Sequence, residues 1–268
     1  MHLFDLKDRV ILITGAAGLI GREYVNALAS AGASVVVADI DPEKAASVAG
    51  EANGKTLPVC LDVTQPESVQ AMVGKAVDTY GRIDGLVNNA ALDPKCDPQH
   101  ADKHQLTFEN FPLMLWQQAL DVNITGMFLC AQAVAPQMKK QGNGVIVNIS
   151  SIYGLVGPDQ RLYEKDEPGA ALFYKPVTYT VTKSAVLGLT KYLAAYFARQ
   201  PIRVNTLTLG GVYNDHEEDF LKRYTWRAPI GRMAQPNEYC GALIFLLSEA
   251  SSYMTGSNLV VDGGWTAW

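Results

Sequence analysis

Short runs of apolar, largely β-branched residues alternate along the chain with longer stretches of amphipathic period. The runs Val10–Thr14, Ser34–Asp39, Thr56–Cys60, Gly85–Asn88, Gly144–Ile149, Arg203–Leu209 and Asn258–Val261 are continuously apolar, as parallel strands covered on both faces are. Between them lie helical segments with recognisable starts. Asp41-Pro42 offers an N-cap and a proline at the first helical position. Thr64 followed by Glu67 reads as a capping box before a helix ending near Tyr80-Gly81. Longer helices are predicted near 111–138 and 178–197. This alternation predicts one α/β domain over residues 1–268, a Rossmann-type doubly wound parallel sheet with helices on both faces.

Two stretches break the rhythm. Residues 92–112 and 157–177 are polar, proline-bearing and aperiodic. Each follows a predicted strand at its carboxyl end, the side of an open α/β sheet where ligands bind. They read as insertions at the substrate side, with plain surface loops as the alternative.

Composition narrows the classes. A hydrophobic share of 48% with 18% charged residues excludes disorder and predicts a well-filled core. The net charge of −5, with no basic run, lacks the footprint of a nucleic-acid binder. No secretory signal or membrane span is read from the chain, and Cys60, Cys96, Cys130 and Cys240 form no disulfide or metal spacing, so a cytoplasmic location is expected. His100 and His104 would be helix neighbours, but no third ligand accompanies them, and no metal is expected.

The candidate chemistry begins after the first strand, in Thr14-Gly15-Ala16-Ala17-Gly18-Leu19-Ile20-Gly21. Glycines there allow a tight turn, close approach of a pyrophosphate and close helix–strand packing, while the helix N-terminus offers N–H donors. Asp39, followed by Ile40, ends the second strand at the spacing of a ribose-binding carboxylate. Such a group accepts from ribose hydroxyls and repels a 2′-phosphate, which favours NAD(H) over NADP(H). As a mere turn cap, Asp41 fits better than Asp39.

Taken in order, these features resemble the short-chain dehydrogenase/reductase family over nearly the whole chain. The residues carrying the resemblance are the Thr14–Gly21 turn, Asp62, Asn88-Asn89-Ala90-Ala91, Asn123, Ser150-Ser151, Tyr179-x-x-x-Lys183 and Val261-Asp262-Gly263-Gly264. The resemblance implies strand order 3-2-1-4-5-6-7. It assigns Gly15, Ala17, Gly18, Leu19, Ile20, Gly21, Asp39, Ile40, Asp62, Val63, Asn89, Ala90, Ala91, Tyr179, Lys183, Gly210 and Val212 to the cofactor, Asp62 at the adenine amino group and Gly210 to Val212 beside the nicotinamide. It makes Tyr179 the acid/base, Lys183 its activator and a ribose contact, Ser151 the partner of the substrate oxygen, and Asn123 the holder of a relay water. It also implies a homotetramer, with Phe128, Leu187, Tyr192 and Tyr196 on faces that meet a second subunit and the Val260–Trp268 segment against another.

The Tyr–Lys pair can be argued on its own. Positions four apart share a helix face, and a nearby ammonium is expected to draw the phenol down from its usual pKa near 10. Singly, each residue has a plain alternative, Ser150-Ser151 as a cap or Asn123 as a helix-bending residue. The middle glycine stands at Gly18 rather than at position 19, and 28 positions separate Ser151 from Tyr179. Both depart from the short members of the family, and the glycine spacing and Ser150–Gly154 are similar to its longer, nucleotide-sugar branch. Ser150 through Gly154, with Asp262 through Trp265, is similar to oxidoreductases of bacterial surface-sugar and flagellin modification, of the legionaminic acid type. Lys95, His100, Lys103, His104, Arg161, Tyr163 and Lys165 in the insertions favour a polar, anionic substrate. The expected function is NAD(H)-dependent interconversion of a secondary alcohol and a ketone on a sugar-derived molecule. A 3-oxoacyl thioester reductase is a same-class alternative, and a non-catalytic dinucleotide sensor or scaffold a different-class one.

Overall fold

Seven parallel strands form one sheet in the order β3-β2-β1-β4-β5-β6-β7. They are β1 (Val10–Thr14), β2 (Ser34–Asp39), β3 (Lys55–Cys60), β4 (Gly85–Asn88), β5 (Gly144–Ser151), β6 (Ile202–Leu209) and β7 (Asn258–Val261). A computed structural model describes residues 3–93, 107–163 and 174–268. The expected topology is thus the observed one, and five strands match at their starts. The ladder carries β5 two residues beyond expectation, because Ser150 and Ser151 stay in register with Thr208 and Leu209. β3 and β7, at the two edges, are only partly buried, unlike the fully buried β1 and β4.

The helices cover both faces: α1 (Leu19–Ser30), α2 (Pro42–Glu51), α3 (Pro66–Tyr80), α4 (Leu113–Leu120), α5 (Gly126–Gln141), α6 (Val177–Tyr196), α7 (Glu218–Arg227) and α8 (Cys240–Leu247). Alternate residues of β1 feed two separate apolar cores. Ile11 and Ile13 pack with α1 and α8, and Val10 and Leu12 pack with α3 and α5. A strand whose two faces are both dry has no polar phase, which is why it reads as a continuous apolar run.

Three local expectations are corrected. Asp41 does cap α2, accepting from the Glu43 and Lys44 N–H groups, but the Thr64–Glu67 box does not form. Thr64 turns back to Asp62 instead, and α3 starts one residue later with Gln65 at its N-cap and Pro66 leading. The helix predicted near 111–138 is α4 and α5 joined by a π-helical turn, Asp121–Thr125. That run, Leu113–Gln141, is long and apolar enough to cross a membrane, although no such stretch was expected. Half of its most apolar window is buried, packed on β4 and α3 as a core helix. Lastly, Trp265 does not face outward with the C-terminal segment. It is buried within the chain against Tyr153 and Tyr224.

The end of the sheet away from the ligand side is tied by one buried carboxylate. Asp84, just before β4, accepts from Nε and Nη2 of Arg82, from the Val10 N–H and from Asn143 Nδ2. On the surface, Phe128, Tyr192 and Tyr196 are exposed, as are Leu113 and Met114.

Candidate active site

Successive strands run outward in opposite directions from β1 and β4, so the loops at their carboxyl ends part and leave a cleft. It encloses about 630 Å³, lined at one end by the Gly15–Gly21 turn and Asp39 and at the other by Ser151, Tyr179 and Lys183.

Two glycines of the turn are sterically required. Gly15 has a φ of +62°, and a Cβ there would lie 2.7 Å from Ala90 Cα. A Cβ on Gly21 would lie 2.3 Å from the Gly15 carbonyl oxygen. Gly18, the N-cap of α1, has ordinary extended backbone and a neighbour no nearer than 3.4 Å. The unusual place of the middle glycine therefore leaves the turn's two tight points untouched. Neighbours hold the turn in shape: Asn89 Nδ2 donates to the Thr14 and Gly15 carbonyls, and Thr14 Oγ1 accepts from the Asn89 and Ala90 N–H groups.

Asp39 Oδ2 accepts from the Ala17 N–H at 2.9 Å and Oδ1 from the Asp41 N–H at 3.2 Å, which ties the end of β2 to the turn. Each oxygen keeps a further lone pair for a ligand hydroxyl. Ile40 beside it is exposed. Lys44, which the sequence reading passed over, also lines this end of the cleft, with Nζ 2.9 Å from Asp41. Asp62 uses Oδ1 for the Thr64 N–H and hydroxyl, while Oδ2 has no protein hydrogen bond among the described residues. Val63, Ala90 and Ala91 line the same wall.

At the other end, α6 carries Tyr179 and Lys183 on one face, and Ser150 fastens that helix to β5 by donating to the Lys183 carbonyl. Lys183 Nζ donates to the Ile149 carbonyl at 3.2 Å. Ser151, at the end of β5, lines the same part of the cleft as Tyr179, and its Oγ accepts from the Tyr153 N–H. Asn123 sits in the π-helical turn, buried, where Oδ1 accepts from the Leu92 N–H and Nδ2 donates to the Leu92 carbonyl and Thr182 Oγ1. Oδ1 keeps one further lone pair. Gly210 and Gly211 after β6 are fixed by Tyr239, which donates to the Gly210 carbonyl, and by Tyr224, which accepts from the Gly211 N–H.

Electrostatics correct one expectation. Burial pushes the Tyr179 phenol well above its ordinary value, Asp93 adds to the rise, and only Ser151 pulls it down. Burial likewise lowers Lys183 to about 8. Burial is the largest influence on both groups, and it outweighs any lowering of the phenol by the ammonium four residues away.

The substrate half of the cleft is aromatic. Tyr153, Tyr163, Phe220 and Tyr224 line it, and Tyr163 donates to the Tyr153 hydroxyl. Of the basic residues expected there, Arg161 pairs with Asp159 and is not among the lining residues. Lys95, His100, Lys103, His104 and Lys165 lie outside the described residues, as does Cys96. No group of metal-ligating side chains occurs among the described residues. Asp93 and Lys175, which sequence reasoning missed, both line this half. Their only signal was position, one at each border of an insertion.

Comparisons with known proteins agree with this geometry. Residues 9–163 match the family model described as short chain dehydrogenase, and residues 168–266 match one described as Enoyl-(Acyl carrier protein) reductase. The chain is 35% identical to a 2,5-dichloro-2,5-cyclohexadiene-1,4-diol dehydrogenase of Sphingobium indicum, over 98% of this chain and 99% of the relative. It is 38% identical to a 3-alpha-(or 20-beta)-hydroxysteroid dehydrogenase of Mycobacterium tuberculosis, over 98% and 91%. It is 35% identical to a 3-oxoacyl-(acyl-carrier-protein) reductase of Thermotoga maritima, over 97% and 98%. Among solved structures, it resembles a gluconate 5-dehydrogenase from Burkholderia cenocepacia in complex with NADP and tartrate, with TM-score 0.83, 32% identity and 99% and 98% of the two chains covered. A short chain dehydrogenase from Leptospira borgpetersenii with bound NAD+ is matched at TM-score 0.83 and 31% identity, over 98% and 94%.

Proposed function

The chain belongs to the short-chain dehydrogenase/reductase family, and on that premise we propose that it interconverts a ring-borne secondary alcohol and its ketone with NAD(H), Tyr179 serving as acid/base. One observation carries this reading: a dinucleotide-shaped turn and an acid/base set of Ser151, Tyr179 and Lys183 open into one cleft. A sensor has no need of the second set. The ring follows from the aromatic walls of the substrate half, and relatives named for a cyclohexadiene diol and a hydroxysteroid point the same way. Sugar-derived rings, the class expected from the insertions, fall within it. The exposed Phe128, Tyr192 and Tyr196 of α5 and α6 support self-association, in keeping with the expected homotetramer.

The residues present fit the dinucleotide. A Cβ would fill the cradle at Gly15 and Gly21, Asp39 keeps acceptor capacity for ribose hydroxyls, and Asp62 Oδ2 is open to an adenine amino group. Bound there, the nicotinamide supplies the hydride acceptor or donor. The protein's own work is to orient the carbinol with Ser151 and to take or return its proton at the Tyr179 phenol oxygen.

Asp39→Asn keeps an acceptor for the Ala17 N–H but removes the charge that would oppose a 2′-phosphate, and Lys44 lies nearby to meet one. The NADP/NAD ratio of kcat/KM is expected to rise by about 10- to 100-fold, read from paired steady-state assays. A pH profile supplies another check. Oxidation needs the Tyr179 phenolate, and burial raises that phenol above its ordinary value near 10. The kcat for oxidation should therefore rise about tenfold per pH unit up to about pH 10, without levelling off near 8, where Lys183 alone loses its proton. Reduction needs the protonated phenol and should stay level over that range.

The reading is tested by following the absorbance of the reduced nicotinamide with cyclic secondary alcohols, sugars, nucleotide sugars and 3-oxoacyl thioesters, for wild type and Tyr179→Phe. Turnover of ring alcohols, absent from the variant, supports it. Turnover of the thioester alone replaces it with the acyl reductase reading, which the Thermotoga relative favours. Cofactor binding without any turnover favours the sensor.

A further inference from the structure

One pair in the cleft has no part in the chemistry so far assigned. Lys175 precedes α6 by two residues, and its ammonium stands 4.2 Å from the centroid of the Tyr179 ring, nearer than that of Lys183. Its backbone is clamped by one side chain. Gln160 Oε1 accepts from the Lys175 N–H at 2.8 Å, and Gln160 Nε2 donates to the Lys175 carbonyl at 3.3 Å. The ammonium pairs with Asp93, which comes from the loop after β4 on the other side of the cleft. The two partners differ in their solvent access: the Lys175 side chain is 13% exposed and that of Asp93 is 42%.

That asymmetry decides what the pair can do. Asp93 can be released to water at little cost, since half-exposed carboxylates are readily solvated and such pairs are weak. Lys175 cannot, because an ammonium so largely covered needs a counter-ion wherever Asp93 goes. Only an incoming anion satisfies both conditions. Exchanging one carboxylate for another also leaves the net charge around Tyr179 unchanged, so the acid/base keeps its surroundings. A single ammonium, a compact point charge with three donors, suits a monoanion.

We infer that Lys175, clamped against the face of Tyr179, anchors a carboxylate carried on the ring of the substrate, which takes the place of Asp93. This rests on the oxidoreductase reading for the identity of the cleft and adds a substrate class to it. The aromatic walls formed by Tyr153, Tyr163 and Phe220 would enclose the ring, and Lys175 would fix which ring carbon faces Tyr179.

The test is calorimetric titration of the full chain with cyclohexanecarboxylate and, separately, with neutral cyclohexanecarboxamide of the same shape, each with and without saturating NADH. Wild type should bind the carboxylate about 10- to 100-fold more tightly than the amide. Lys175→Gln should bring that ratio close to one, Lys175→Arg should restore most of it, and Asp93→Asn should tighten carboxylate binding by removing its competitor. A ratio near one in wild type, a ratio that survives Lys175→Gln, or no binding of the carboxylate would each overturn the assignment. Loss of the fold is read separately, from the circular dichroism of each variant. Failure of the underlying reading looks different. If Tyr179→Phe keeps full turnover, the acid/base assignment falls while the charge selectivity still reports on Lys175. If selectivity is missing while turnover depends on Tyr179, only the anchor falls.

Discussion

Tyr179→Phe is expected to lower kcat by about 10²–10⁴-fold, the range of a positioned general acid or base, with NADH affinity unchanged. The substitution deletes one oxygen and keeps the ring. That ring packs edge-on to Tyr153 at 6.4 Å between centroids and lies under Lys175, so the cleft's shape survives. The cofactor end is built by other residues, Gly15, Gly21, Asp39 and Asn89, none of which touches the phenol oxygen. Stopped-flow traces and fluorescence titration of NADH on the variant separate the two quantities. A kcat within tenfold of wild type would remove Tyr179 from the proton transfer. A parallel loss of NADH affinity would show that the phenol oxygen itself contributes to holding the cofactor.

Asp84→Ala should cost about 1–3 kcal/mol of stability, the penalty for leaving buried hydrogen-bond donors without their acceptor. The carboxylate is fully covered and accepts from Arg82, the Val10 N–H and Asn143. Removing it strands a backbone donor of β1 and an amide at the junction of β1, β4 and the start of β5, while the half-exposed Arg82 guanidinium turns to water. Urea unfolding should show a lower midpoint with an unchanged slope. Because Asp84 lies at the opposite end of the sheet from the cleft, kcat of the folded fraction should stay as in wild type. Glu218→Ala, which breaks an exposed pair with Lys222, should scarcely move the midpoint. Equal midpoints for the two variants would mean that water already reaches Asp84.

The reach of the sequence differed from residue to residue. Gly15, Gly21 and Asp39 were legible because the turn they serve is local: a positive φ, a clash at a Cβ and an 18-residue spacing are all properties of one βαβ unit. Tyr179 and Lys183 were legible for the same reason, as neighbours on one helix face. The Thr64–Glu67 box failed because Thr64 had a second local partner, the Asp62 carboxylate, which sequence spacing does not rank against a helix N-terminus. Arg161 failed likewise, taken by Asp159 two residues away.

Hydrophobic patterning by itself determined the parallel sheet, its doubly wound cover and the position of the dinucleotide turn. Dry strand faces and helix starts are written in neighbouring residues, and the resemblance of ordered motifs supplied the strand order. Only the tertiary structure decided the state of the acid/base pair and the character of the substrate pocket. A phenol's proton affinity depends on how much water the whole fold removes from it, and burial outweighed the ammonium four residues away. Lys175 and Asp93 lie 82 positions apart in the chain and meet across the cleft, a juxtaposition set by strand order and loop packing that local pattern does not carry.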